Sequence, residues 1–337
     1  MDDVARRAGV SRALVSLVMR EQPNVSEAKR TRVLRVAEEL GYRPNAMARS
    51  LASRRTRTVG VLLDDLRNPF FAEIAGGIEE LASELGSQRL LGAGGRAARR
   101  ERSALATLLE YRVDGVILVS PRLGAAEIRA ASAEVPVVMV GRRLRDVDAD
   151  VVVIDERHGV ELVIEHLLGL GHTHVTHVDG GVGAGAAQRR REFMRAMERR
   201  GLSDAAAIIP GEFTEEAGGR AAEALLSAPS LPTAVFAAND VVAAGLLGAF
   251  DRAGVEVPSD VSIVGYDNIS IAHLAKVSLT TVDQPRSTMG RMALELLLGR
   301  VEQRSARPSR LDARADREVR LIEPTLVVRA TTAPPRT

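Results

Sequence analysis

Asp3-Val4-Ala5-Arg6-Arg7-Ala8-Gly9-Val10-Ser11-Arg12-Ala13-Leu14-Val15-Ser16-Leu17-Val18 reads as helix, turn, helix. Asp2 or Asp3 can cap a first helix whose apolar positions are Val4 and Ala8, Gly9 ends it, and Ser11 supplies a capping hydroxyl for the next. In that second helix Leu14, Val15 and Val18 form the inward stripe. The outward face is then Arg12, Ala13, Ser16, Leu17 and Arg20. A third helix is expected after Ser26, burying Val33, Ala37 and Leu40 and stopping at Gly41. Residues 1–44 carry no strand signal and form a small all-α domain. Two helices joined by a short Gly-containing turn lay the second helix in the major groove of DNA.

Charge supports a nucleic-acid partner for this head. Residues 1–57 hold thirteen Lys and Arg against six acids, an excess of +7, whereas the whole chain carries only +2. A basic head on a mildly acidic body is the footprint of a chain that grips phosphates at one end. A solvated basic helix is the alternative reading of the same excess.

Past residue 57 short β-branched runs alternate with amphipathic stretches. Thr58–Leu63, Arg89–Leu91, Gly115–Val119, Pro136–Val140, Val151–Ile154, His174–Val178, Ala234–Phe236 and Val261–Val264 read as strands. Between them Pro69–Leu85, Arg99–Tyr111, His158–Leu170, Glu192–Arg200 and Val241–Ala253 read as helices. Alternation of this kind builds parallel sheets covered on both faces. About ten strand candidates exceed what one doubly wound sheet holds, so the body is expected to be two α/β subdomains with a cleft between them. Asn45 can cap a helix of about two turns, too short to be stable alone in water. Residues 303–318 are polar and Arg-rich, as in a surface loop. The tail ends in Ala333-Pro334-Pro335 without heptads, so no helical tetramerisation extension is expected.

At 337 residues, 45% hydrophobic and 27% charged, the chain is long enough for two or three cores. No apolar run approaches the roughly 18 residues that span a bilayer, and the N-terminus lacks a signal peptide's basic start and apolar stretch; a cytoplasmic protein is expected. Zero Cys excludes disulfides, thiol nucleophiles and Cys-ligated zinc. His172, His174 and His177 invite a metal, but His172 follows a helix-ending Gly171 and the other two sit at an odd spacing on a strand, facing opposite sides. Gly181, Gly183 and Gly185 follow a strand, yet Ala186 stands where a dinucleotide fingerprint needs its third glycine, which leaves a flexible loop feeding Arg189. No Gly-x-Ser-x-Gly and no acid/base pair supports catalysis. Neither metal, cofactor nor enzymatic activity is expected.

The motifs in order resemble one family. Asp3–Ser11, Val15-Ser16, Val25-Ser26, Ala37–Asn45 and Ala48-Arg49-Ser50-Leu51 are similar to the DNA-binding head and hinge of the lactose-repressor family. Asn68-Pro69-Phe70-Phe71, Arg112–Gly115, Leu170-Gly171-His172, Ala238-Asn239-Asp240, Asp260–Asp267 and Leu279–Pro285 resemble its effector domain, which is periplasmic-binding-protein-like. The resemblance implies a helix-turn-helix domain over 1–44, a hinge helix and linker over 45–57, an effector-binding and dimerisation domain over 58–330, and a tail over 331–337. It also shows departures. Met1 stands where the family carries a few further residues, including a capping hydroxyl, which implies an earlier start or a weaker head. Leu14 replaces the usual Thr and Leu17 the usual Arg.

The function so implied is that of a sequence-specific DNA-binding regulator, a repressor gated by a small, sugar-like effector. Its partners are double-stranded operator DNA, the effector and a second copy of the chain as a homodimer. The alternative is a small-molecule α/β protein whose basic head serves another partner. Expected DNA contacts are Ser11, Arg12, Ala13, Ser16, Leu17 and Arg20, with Asn45, Arg49 and the minor-groove wedge Leu51 from the hinge. Arg189 and Asp267 are the expected polar anchors of the effector, with Phe70, Phe71, Arg142, Phe213 and Asn239 around it. The bland reading of Arg189 makes it one member of a solvated run, Arg189-Arg190-Arg191.

Overall fold

The computed structural model describes residues 1–19, 22–42, 56–144, 146–306 and 317–336. Two compact units divide the chain, Met1–Arg57 and Thr58–Thr337. In the first, α1 (Asp2–Ala8), α2 (Arg12–Met19) and α3 (Glu27–Glu39) pack Val4, Ala8, Val15, Val18, Val33, Val36 and Ala37 into one small core. Gly9 closes α1 at φ 65, and the Ser11 hydroxyl accepts from the Leu14 amide at 3.2 Å, capping α2.

Two expectations for the head are corrected. Asp2 and Asp3 lie inside the first turn of α1, where the helix dipole favours acids, and Met1 occupies the capping position. Leu40 is exposed, because α3 ends just before it and Val36 takes the core position one turn earlier.

The second unit holds two six-stranded sheets. The first, in the order β11-β5-β4-β3-β1-β2, is wholly parallel: β1 (Thr58–Leu63), β2 (Gln88–Ala93), β3 (Gly115–Val119), β4 (Val137–Val140), β5 (Asp150–Ile154) and β11 (Val319–Ile322). The second, β12-β10-β9-β8-β6-β7, contains β6 (Val175–Val178), β7 (Ala206–Ile209), β8 (Ala234–Ala237), β9 (Ser262–Asp267), β10 (Thr280–Asp283) and β12 (Thr325–Val327). Only β12 runs antiparallel in it, against β10. Helices α4 (Pro69–Glu84), α5 (Ala98–Glu110), α6 (Ala125–Glu134) and α11 (Arg286–Ala306) cover the first sheet; α7 (Glu156–Gly169), α8 (Ala186–Glu198), α9 (Glu215–Leu226) and α10 (Asp240–Arg252) cover the second.

Central strands such as β3 and β9 are buried along their whole length, which is why they read as continuous Val/Ile runs. The chain crosses between sheets after β5, after β10 and between β11 and β12. In both sheets the strand order reverses, between β1 and β3 and between β6 and β8; ligands bind at the carboxyl ends of the strands beside such a reversal.

Two segments differ from expectation. Part of the polar stretch 303–318 is helical, since α11 runs on to Ala306. Residues expected to form a separate tail are stitched into the second sheet: the Thr331 hydroxyl donates to Ile263 O at 2.7 Å, and the Ala333 carbonyl accepts from His172 Nε2 at 2.9 Å.

Helices α4 and α11 touch through glycine. A Cβ on Gly290 would overlap the Ile74 carbonyl, and one on Gly77 would overlap that of Ser287. Gly290→Ala is therefore expected to destabilise the chain by about 1–3 kcal/mol through overpacking. A urea midpoint unchanged from that of the parent protein would show that the helices separate at no cost.

Candidate functional site

On α2 the outward face carries Ser11, Arg12 and Ala13, all exposed, a half-buried Ser16, and Leu17 at 40% exposure. Val15 and Val18 are buried and Leu14 packs on the head core. The Arg12 guanidinium meets Asp2 only at 3.7 Å, with both side chains largely in solvent, so it stays available to a partner. Ser11 Oγ accepts from Leu14, and its own proton remains to be donated outward. Arg20, Asn45, Arg49 and Leu51 lie outside the described residues.

In the second unit, Arg189 occupies the first turn of α8 and is 3% exposed. It is not a member of a solvated run: its Nε and Nη2 donate to Glu156 Oε2 and Oε1 at 3.0 and 2.8 Å, and Nη1 donates to the Ala238 carbonyl. Its Cζ sits 3.5 Å from the centre of the Tyr266 ring. Burial alone would depress its pKa, but Glu156, Tyr266 and Asp267 outweigh burial and raise it. The side chain is a permanent, preorganised cation. Phe213 lies 6.0 Å away and is clasped by the glycine turn: a Cβ on Gly180 or Gly183 would overlap its ring. The turn expected to be a flexible feeder of Arg189 is thereby fitted to one aromatic face.

Asp267 ends β9 and its Oδ1 accepts from Gln284 Nε2 at 2.6 Å. Burial and the neighbouring Asp240 push its carboxyl well above the usual range, against the pull of Arg189 and Arg286. Asp240 itself is pushed up to about 7 by burial, although the Thr281 hydroxyl and the Ile269 amide donate to it at 2.5 and 2.8 Å. Each raised carboxyl holds its proton to a higher pH than a free one would, and a protonated carboxyl can donate as well as accept. Asn239 caps α10 with Oδ1 on the Val242 amide at 3.0 Å, leaving its amide nitrogen as the group to offer.

Across from these, the first sheet presents Asp64, paired at 2.8 Å with Arg122, and Arg142, which donates to Pro121 O and Leu123 O at 2.5 and 3.1 Å. Burial lowers the Arg142 pKa and raises that of the nearby Glu101, which accepts from the Arg122 and Leu123 amides. Arg96, held at φ 63, reaches the other subdomain and pairs with Glu212 at 2.6 Å. Phe70 and Phe71 open α4, are 8% exposed, and share one apolar cluster with Ile269. At these strand ends the guanidiniums of Arg67, Arg96, Arg122, Arg189 and Arg190 each already hold a carboxylate. At these five an anionic ligand would have to displace an acid, whereas Arg142 holds only carbonyls; an uncharged ligand with several hydroxyls can use the remaining donors and acceptors.

The signature of "Bacterial regulatory proteins, lacI family" matches residues 1–45, and that of "Periplasmic binding protein-like domain" matches residues 164–332. The HTH-type transcriptional regulator DegA of Bacillus subtilis 168 is 35% identical over 98% of this chain and 97% of its own length. The chain belongs to the lacI family. The Ribose operon repressor of Escherichia coli K12 is 36% identical over 92% of this chain and 96% of its own. A structure described as the Lac repressor dimer bound to operator and the anti-inducer ONPF matches with a TM-score of 0.86 at 27% identity, covering 98% of each chain.

Within this lacI-family frame the structure adds partners the sequence reading did not single out. Glu156 was hidden beside Asp155, whose side chain merely caps α7 on the His158 amide; an acid two residues past a strand end was its only signal. Tyr266 lay inside a quoted motif without a role. The histidines are dispersed: His172 bonds Thr233 and Ala333, His177 lies in the core on the Phe236 carbonyl, and His174 is exposed. Among the described residues no group of three or more potential ligands could hold a metal, and no helix is long and apolar enough to cross a membrane.

Proposed function

We propose that this lacI-family regulator is a cytoplasmic, non-enzymatic repressor that binds a pseudo-palindromic operator as a homodimer. Its DNA affinity is set by one uncharged, sugar-like molecule held between the two α/β subdomains. The observation that carries the reading is Arg189, buried and charged, converging with Glu156, Tyr266 and Asp267 beside the strand-order reversal of the second sheet. Arg189 and Asp267 are the anchors, Phe213 and Asn239 flank them, and Arg142, Phe70 and Phe71 face them from the first sheet. D-Ribose is the first probe, because one relative is named for the ribose operon. The test is mobility shift of the full chain on its gene's own upstream DNA, with neutral sugars and their phosphates added in turn. Salt-sensitive, sequence-selective retention that neutral sugars alone change is expected. Retention indifferent to both sets, or answering only to the phosphates, would overturn the effector class.

The recognition face adds a sharper expectation. Arg12 is at the N-terminal end of α2, where side chains approach base edges first, and its guanidinium can pair bidentately with guanine O6 and N7. Arg12→Ala should relax discrimination at one base pair of each half-site by about 1–3 kcal/mol. Leu17, without a polar group, is assigned to a thymine methyl, and Leu17→Arg should shift the preferred base. Selection from randomised operators checks both; an unchanged consensus removes the residue concerned from base readout.

A further inference from the structure

Asp267 and Asn268 form a turn at φ 112 and 54, a region that side-chain-bearing residues rarely occupy. Such backbone persists only where its surroundings over-determine it. Gln284 holds the Asp267 carboxyl, and Asn268 donates to Asp283 Oδ1 at 2.9 Å while accepting from Arg329 at 2.7 Å. The Asp267 carbonyl accepts from Arg286 Nη1.

Arg286 reaches further than the others. Nη1 also donates to the Gln284 carbonyl at 2.7 Å, whereas Nε donates at 2.7 Å to Glu73 Oε2 on α4, in the other subdomain. The guanidinium is 11% exposed and begins α11, which the backbone contacts of Gly77 and Gly290 hold against α4. A planar fork with fixed donor directions keeps both holds at once. A shift of the turn therefore has a stiff route into α4.

We propose that Arg286 is a positioning residue that carries the state of the Asp267 turn to helix α4, so that a ligand gripping Asp267 alters the first subdomain through one guanidinium. The idea rests on Asp267 as a ligand anchor, yet its test needs no ligand. Asp267→Gly releases the strained turn, because glycine adopts this φ freely. Hydrogen exchange is then followed across residues 69–84 in the full chain, with α6 (Ala125–Glu134), which lies away from the turn, as internal reference.

In the parent background Asp267→Gly should speed exchange in α4 by about five-fold. With Arg286→Met, or with Glu73→Ala at the far end of the link, the same change should move it less than about two-fold. Glu73 is part-exposed, so its variant keeps the question answerable if Arg286→Met fails to fold. An equal response in all backgrounds, or none in the parent, would overturn the relay. Sugars do not enter the measurement, so it fails or stands independently of the effector assignment.

Discussion

Arg189→Leu is expected to lower the unfolding free energy by about 3–5 kcal/mol, the cost of leaving a buried carboxylate without its counter-ion. Glu156 accepts from two nitrogens of that guanidinium, and the ion pair is buried on both sides. Adding Glu156→Leu removes the stranded charge, so the double variant should recover most of the loss, as apolar replacement of a buried pair often does. Urea unfolding of the parent, the two single variants and the double variant measures this. Recovery of stability is not recovery of function. If Arg189 anchors the effector, both Arg189 variants lose the ligand's thermal stabilisation while the double variant folds well. A double variant as unstable as the worse single one would mean that the guanidinium's hold on Ala238 and its packing on Tyr266, not the charge pair, maintain the site.

The pH dependence of stability between pH 4 and 6.5 should tilt in opposite directions, relative to the parent protein, in two variants. His177 is buried on β6 between Phe193 and Phe236, with Nδ1 on the Phe236 carbonyl; Asp179, Arg189 and Arg190 are the charges that act on it. Burial lowers its pKa from 6.5 to about 4, so its neutral form stabilises the fold above pH 6.5, a contribution lost as pH falls toward 4. Asp240 does the reverse. Its carboxyl, raised from 3.8 to about 7, stabilises the fold below pH 3.8, a contribution lost as pH rises through 7. Each slope integrates to about 3 kcal/mol over the shared window. Relative to the parent, His177→Leu should therefore lose stability as pH rises from 4 to 6.5, and Asp240→Asn should gain it. Denaturant unfolding at the two ends of the window checks the signs, and any constant offset from repacking drops out. Two variants with the parent's own profile would mean that both groups titrate normally.

The helix-turn-helix face and most of the alternation were readable because both depend on period and punctuation, which a sequence displays directly. Val15 and Val18 face inward at helical spacing, and Gly9 closes α1 as glycine should. The short strands β7, β10, β11 and β12 were not singled out. Val319–Ile322 is mostly exposed at a sheet edge, carries Arg320 within it and is flanked by Glu318 and Glu323, so no burial pattern marks it as a strand. The extension of α11 through Ala306 was masked by its polar last turn, where Glu302, Gln303 and Arg304 face solvent. Arg189 and Asp267 were named as candidate anchors by motif, but Glu156 and Arg286 act through partners 33 and 213 residues distant in sequence, and no local pattern encodes such pairing.

The first sheet takes β1 to β5 from residues 58–154 and its last strand from residues 319–322, and it is covered by α11 from residues 286–306. A ribosome extending this chain at roughly 5–20 residues per second would hold that sheet open, without its closing helix and strand, for on the order of ten seconds while the intervening subdomain emerged. During that interval the face awaiting α11 and the edge of β5 are exposed to neighbouring nascent chains. The half made first is completed last, so its yield in a cell depends on the speed of translation and on chaperones as well as on the finished protein's stability.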